Sequence, residues 1–218
     1  MDYFVDSNVI IGYYFDYTDN WGPDALRVFN STIQKHSGIC VKLECFGDDN
    51  NSGKCQTIRN EILRNFSRGI SILVRTHSPL ELFGIAQDNH WKIVNIIQDL
   101  IILYENDIPT FINEMRNAKR KFEADTNEKH ENIHNGSTVI FHNRNESYTS
   151  IYQVLESRIH DPDDIEIILD AHHVELTTVE ISFVTGDYNH IIPHRDFILE
   201  NTEISQITPL GSFAEIPG

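Results

Sequence analysis

Apolar residues recur along this chain in two periods, and each change of period marks an element. Tyr3 to Val5 form a short, wholly apolar run of the kind a buried strand needs, and Asp6 stops it. Ser7 can then cap a helix that runs through Tyr14. "TDNWGPDALRVFNSTIQKH" predicts a second helix, with Pro23 in its first turn and Leu26, Phe29 and Ile33 spaced by three and four. "GICVKLECF" reads as a strand or an irregular apolar segment, and "GDDNNSG", residues 47–53, as a loop. From Gln56 onward Ile58, Ile62, Phe66 and Ile70 recur every four residues with Leu63 beside them, which makes one buried helical stripe. Leu80 to Tyr104 keeps the helical period.

Residues 105–160 change texture. "INEMRNAKRKFEADTNEKHENIHNGST" is charge-rich with sparse apolar positions, and predicts a polar helix or helical hairpin inserted into the domain, with a mobile loop near Asn135 and Gly136. The strong signals return at "DPDDIEIILDAHHVEL", a helix with Ile165, Ile168 and Leu169 on one face. "ISFVTGD" is a buried strand, and "ISQITPLGSFAEI" one more, stopped by Pro209. Strands separated by helices predict an α/β fold: a central, mostly parallel sheet flanked by helices. The whole chain, 1–218, is read as a single domain with the insertion at about 105–160.

Composition narrows the class. A hydrophobic content of 40% supports a real core, and no run reaches the ~18 uninterrupted apolar residues of a membrane span. No basic region followed by an apolar one opens the sequence, so no secretory signal is visible. Cys40, Cys45 and Cys55 lack a metal-ligand spacing and read as free thiols of a cytoplasmic protein. The net charge of −16 argues against charge-driven nucleic-acid binding by the surface as a whole. It leaves room for a local site, because carboxylates that hold divalent cations add to the acid count while the bound ion reverses the local sign.

Four acids stand where such a site would be. Asp6 and Asp187 each follow the end of a core strand, and ligands of open α/β sheets bind at those carboxyl ends. The Gly186 turn lets the backbone carry Asp187 close. Asp164 opens a helix and follows the buried stripe through Ile168, and Glu61 flanks the stripe of its own helix. Four carboxylates together repel, and oxygen ligands suit Mg²⁺ or Mn²⁺, which can activate water and stabilise the leaving oxygen of a phosphodiester. Each acid also has an ordinary reading: Asp6 and Asp164 as helix caps, Glu61 as a solvated helix residue, Asp187 as a turn former.

The order and flanks of these acids resemble the PIN-domain family of metal-dependent ribonucleases. "FVDSNVII" looks like its opening strand, with Asp6 the first metal acid and Ser7 and Asn8 the polar pair after it. "QTIRNEILRNF" resembles the helix whose glutamate falls on Glu61. "DDIEIILDA" is similar to the third motif at Asp164, and "FVTGDYNHI" to the fourth, with Thr185 and Asp187. The resemblance covers roughly residues 1–100 and 161–214. It implies a three-layer fold with a sheet of about five strands, catalytic and metal-binding roles for Asp6, Glu61, Asp164 and Asp187, cleavage of single-stranded RNA, frequent homodimers and, for toxin members, an antitoxin partner. Glu44 competes with Glu61, because "ECFGDDNNSGKC" lengthens the distance from Asp6, and Asp163 competes with Asp164. Asn189 stands where many members carry a further acid.

"RNAKRK" is the densest basic cluster. Arg116, Lys119, Arg120 and Lys121 can hold RNA phosphates, or form a solvated face balanced by Glu114 and Glu123. His172 and His173, adjacent on a helix, point about 100° apart and read as structural. No phosphate-cradling glycine loop and no serine elbow is present. The alternative to a nuclease is a catalytically silent module of the same fold that binds RNA or a protein.

Overall fold

The computed structural model describes residues 1–15, 22–48, 51–82, 91–104, 106–135 and 138–215. Its centre is one sheet of five parallel strands: β1 (Asp2–Val5), β2 (Lys35–Gly38), β3 (Ile140–His142), β4 (Ile181–Thr185) and β5 (Gln206–Pro209), in the order β3-β2-β1-β4-β5. Among the described residues nine helices flank it: α1 (Ser7–Tyr14), α2 (Gly22–Asn30), α3 (Ile39–Phe46), α4 (Lys54–Thr76), α5 (Trp91–Tyr104), α6 (Ile108–His134), α7 (Thr149–Glu156), α8 (Pro162–Thr177) and α9 (Arg195–Asn201). The chain is thus an α/β domain with an all-parallel central sheet between helical layers. None of the described helices is long and apolar enough to cross a membrane.

The strand order sets the site. From β1 the chain winds outward through β2 to β3, then returns to lay β4 on the other side of β1. The reversal opens a crevice at the carboxyl ends of β1 and β4. Phe4 pairs with Phe183 and Val5 with Val184, so the residues that follow, Asp6 and Gly186–Asp187, leave the sheet side by side. The Phe4 and Phe183 rings meet edge to face at 5.5 Å in the core beneath.

Two elements differ from the sequence expectation. "ICVKLECF" is helix α3, and the strand before it is the polar "KHSG". Hydrophobic period could not find β2, because its polar side chains are buried but satisfied. Lys35 donates to the Phe29 and Ser31 carbonyls at the end of α2, His36 bridges Asp2 and His142, and Ser37 donates to the Val5 carbonyl. The predicted helix in "TDNWGPDALRVFNSTIQKH" ends at Asn30, before Ile33, and its residues 18–21 lie outside the described residues.

The segment 105–160, expected as a polar helical insertion, also joins the sheet. Among its described residues it is mostly helical, and it also contributes the edge strand β3, while α7 packs on α8 through buried Leu155. Phe111, Met115, Phe122 and Ile133 give α6 a narrow stripe that is fully or almost fully buried, and α6 packs along α4. A stripe with one apolar residue every one to three turns suffices when a long neighbouring helix supplies the rest of the contact. Of the loop expected near Asn135 and Gly136, Asn135 is the cap of α6 and Gly136 lies outside the described residues.

Candidate functional site

Asp6 is held from all sides. It is 2% exposed and caps α1, its Oδ1 accepting from the Ser7 amide at 2.5 Å and the Ser7 hydroxyl at 3.2 Å. Its Oδ2 accepts from Asn8 Nδ2 and from the Thr185 hydroxyl, both at 2.6 Å. Asn8 in turn accepts the Gly186 amide at 2.7 Å, and the Asp187 amide donates to Thr185 Oγ1 at 3.0 Å. Ser7, Asn8 and Thr185 therefore lock the end of β1 to the end of β4. A Cβ on Gly186 would stand 3.2 Å from Asn8 Oδ1, so a bare backbone favours this approach. Asp187 Oδ1 accepts the amides of Asn189 and His190, both at 2.8 Å, which fixes that carboxylate at the crevice rim.

α8 brings the third aspartate. Asp161 caps this helix through the Asp163 amide, and Pro162 occupies its first turn. Asp164, one turn in, faces the crevice. Its Oδ2 is buried and receives no hydrogen bond from the described residues. His190 Nδ1 stands 3.0 Å from that oxygen and 3.4 Å from Asp187 Oδ2, near enough to pair with both when protonated, though not aligned as a hydrogen-bond donor to Asp164.

Asp6, Asp164 and Asp187 line one cavity of about 560 Å³, together with Glu44, Lys54 and Asp163. The structure thus brings three of the four expected acids together. Glu61 lies on α4 and is not among the lining residues, whereas Glu44, from α3, lines this cavity. Glu44 Oε1 accepts from Lys54 Nζ, the first residue of α4. Asp163 and Asp164 both line the cavity, and Asp164 is the one with the buried, undonated oxygen. Arg116, Lys119, Arg120 and Lys121 sit on α6 and are not among the lining residues.

Burial and crowding resist ionisation here. Desolvation pushes Asp6 up to about 6 in spite of the hydrogen bonds from Thr185 and Ser7, with Glu44 adding to the rise. Asp164 is pushed up to about 7, first by burial and then by the charges of Asp187, Asp161 and Asp6, with His190 opposing. A divalent cation would relieve both the burial cost and the repulsion. Asp161, Asp164 and His190 offer ligand atoms within 4.8 Å of one another, an arrangement that could hold a metal ion. Sequence reasoning named neither Asp161 nor His190 as a ligand, although His190 lies three residues past Asp187 on the same turn and Asp161 three residues before Asp164.

No family model, no curated protein and no solved structure matches this chain.

Proposed function

We propose that the chain is a divalent-metal-dependent endoribonuclease that hydrolyses single-stranded RNA in the crevice between β1, β4 and α8. The observation that carries this reading is the Asp164 oxygen, buried beside Asp6 and Asp187 without a hydrogen-bond donor. A desolvated carboxylate among like charges is costly, and a cation relieves both the desolvation and the repulsion. The donors are carboxylate oxygens with one imidazole at the rim, a set suited to Mg²⁺ or Mn²⁺. Such an ion, when bound, neutralises the cluster and lowers the pKa of a water molecule toward neutrality.

The chain's own residues supply the rest. Ser7, Asn8 and Thr185 hold Asp6 in one orientation, and the Asn189 and His190 amides hold Asp187, so two ligands are placed before any ion arrives. Lys54, at the cavity wall, meets an incoming phosphate with positive charge. The resemblance of "FVDSNVII" and "FVTGDYNHI" to the PIN-domain motifs supports RNA as the substrate; a homodimer and an antitoxin partner rest on that resemblance alone. The Glu44–Lys54 pair favours a second reading, because a glutamate engaged by lysine is less free to bind metal. On that reading the chain is a silent RNA- or protein-binding module.

Asp6→Asn separates the two. The wild type should cleave single-stranded RNA in Mn²⁺, stop in chelator and melt higher with Mn²⁺. Asp6→Asn should retain the far-ultraviolet circular dichroism of the wild type and lose at least a hundredfold in cleavage rate. A wild type with neither cleavage nor a Mn²⁺-dependent melting shift is the silent module.

A further inference from the structure

The chain has 17 lysines and arginines against 33 acids, yet its cations are not evenly spread. α4 carries Lys54, Arg59, Arg64, Arg68 and Arg75 against one acid, Glu61. α6 adds Arg116, Lys119, Arg120 and Lys121 in its first half, against Glu114. The two helices lie side by side and antiparallel: Arg59 reaches Thr126 at 3.0 Å, and Lys119 reaches Ser67 at 2.9 Å. Arg64 and Arg68 of α4 therefore lie level with residues 116–122 of α6.

Helical period sorts these cations. Arg64, Arg68 and Arg75 fall within about 40° of one another at 100° per residue and form an exposed ridge. On α6, Lys119 and Arg120 lie three and four residues after Arg116, toward the edge that meets α4, while Lys121 turns away. The seam between the helices is bridged by Lys119 and Ser67; Arg64 and Arg68, about 60° and 100° round α4 from Ser67, crown its solvent side together with exposed Arg116 and Arg120 of α6. Among the described residues Arg64, Arg68 and Arg120 make no hydrogen bond or ion pair, in a chain where acids outnumber bases almost two to one. Glu114 accepts from Asn117, and Glu123 stands 3.9 Å from Arg59, so the nearest acids of α6 are turned to other partners. Exposed like charges held together repel, which destabilises the free surface unless a polyanion covers it.

We propose that the crease between α4 and α6 is a phosphate track for single-stranded RNA, leading the strand toward the Asp6–Asp164–Asp187 crevice. This rests on the nuclease reading for the direction of travel but not for the binding itself. α4 begins at the cavity with Lys54, and ten residues of helix place Arg64 about 15 Å away. About five phosphates of a stacked strand, at ~3.4 Å each, span that distance. No base-reading group is needed, so binding along the track is indifferent to sequence.

The test is binding of a labelled oligouridylate, long enough to span crevice and track, to the full chain in chelator over a range of salt. Wild type is compared with Arg64→Gln/Arg68→Gln/Arg120→Gln, whose melting temperature is the control for folding. Removal of three phosphate contacts should weaken binding at least tenfold at low salt. It should also flatten the dependence of log affinity on log salt by about two. Unchanged affinity and slope, or a wild type with no salt-dependent binding, overturns the track. So does a variant that changes only self-association in sedimentation, which would assign the ridge to the acidic face of a second copy. Binding lost in the variant while the wild type cleaves nothing in Mn²⁺ keeps the track and removes the nuclease. Binding unchanged while the wild type cleaves does the reverse.

Discussion

Asp164 and Asp6 answer the same crowding in different ways. Asp6 offsets its burial with four donors, and Asp164 has a buried oxygen with none. The two acids should therefore respond differently to loss of charge. Asp164→Asn keeps the shape, and its amide can donate to a neutral His190. In chelator at pH 8 it should be more stable than the wild type by on the order of 1–3 kcal/mol, a rise of several degrees for a chain this long. It should also lose the Mn²⁺-dependent melting shift. A melting temperature that falls in chelator would show that Asp164 is a structural acid. At this scale the sequence was informative for Asp6 and Asp187, because an acid after an apolar strand has few structural uses at two places in one chain. It was uninformative for His190, whose role depends on a side chain from α8 that sequence alone does not place beside it.

The elements join through one buried ion pair. Arg144, just after β3, donates from Nε to Asp170 of α8 at 2.9 Å and pairs with Glu166 one turn earlier. Asp170 Oδ2 also accepts the Cys40 amide in the first turn of α3, so one carboxylate fastens three elements. Arg144→Ala leaves Asp170, 2% exposed, charged and unpaired, and should cost about 3–5 kcal/mol. Gly38→Ala would place a Cβ 2.0 Å from Asp170 Oδ2, an overlap worth about 1–3 kcal/mol. Chemical denaturation measures both; a loss under 1 kcal/mol for Arg144→Ala would mean the clip is solvated and replaceable. This clip explains what the sequence concealed. α3 read as a strand or an irregular apolar segment because the acceptor at its first turn comes from residue 170. His36 and Ser37 hid β2 for the same reason, since their partners His142, Asp2 and Val5 lie far away in sequence; Lys35 hid it as a buried cation satisfied by the carbonyls at the end of α2. The parallel arrangement, by contrast, was legible from apolar runs such as "ISFVT" separated by helices, although β2 and β3 were not.

Across the whole molecule the raised acids fix the direction of the pH response. A carboxyl whose folded pKa lies above its unfolded value binds its proton more tightly when folded. Its penalty is absent below about pH 4, grows as pH rises, and is complete above the folded value. With Asp6 at about 6 and Asp164 at about 7, apo stability should fall between about pH 4 and pH 8. Asp164→Asn should flatten the upper part of that fall, and saturating Mn²⁺ should remove most of it. A melting temperature in chelator that climbs steadily from pH 5 to pH 8 would contradict the placement of both carboxyls.

The pairing of β1 with β4 has a consequence for how the protein comes into being. Asp2 pairs with Ile181, about 180 residues further on, so the first strand emerges from the ribosome long before its neighbour exists. At about 5–20 residues per second, the wait is on the order of ten seconds or more. Until then the carboxylate at position 6 has neither Thr185 nor Asp187 beside it. Any product cut short before β4 lacks half the crevice. Completion of synthesis is thus a built-in safety catch for the proposed nuclease: a nascent or truncated chain, however much of its amino-terminal half has collapsed, cannot assemble the crevice on which that proposal rests.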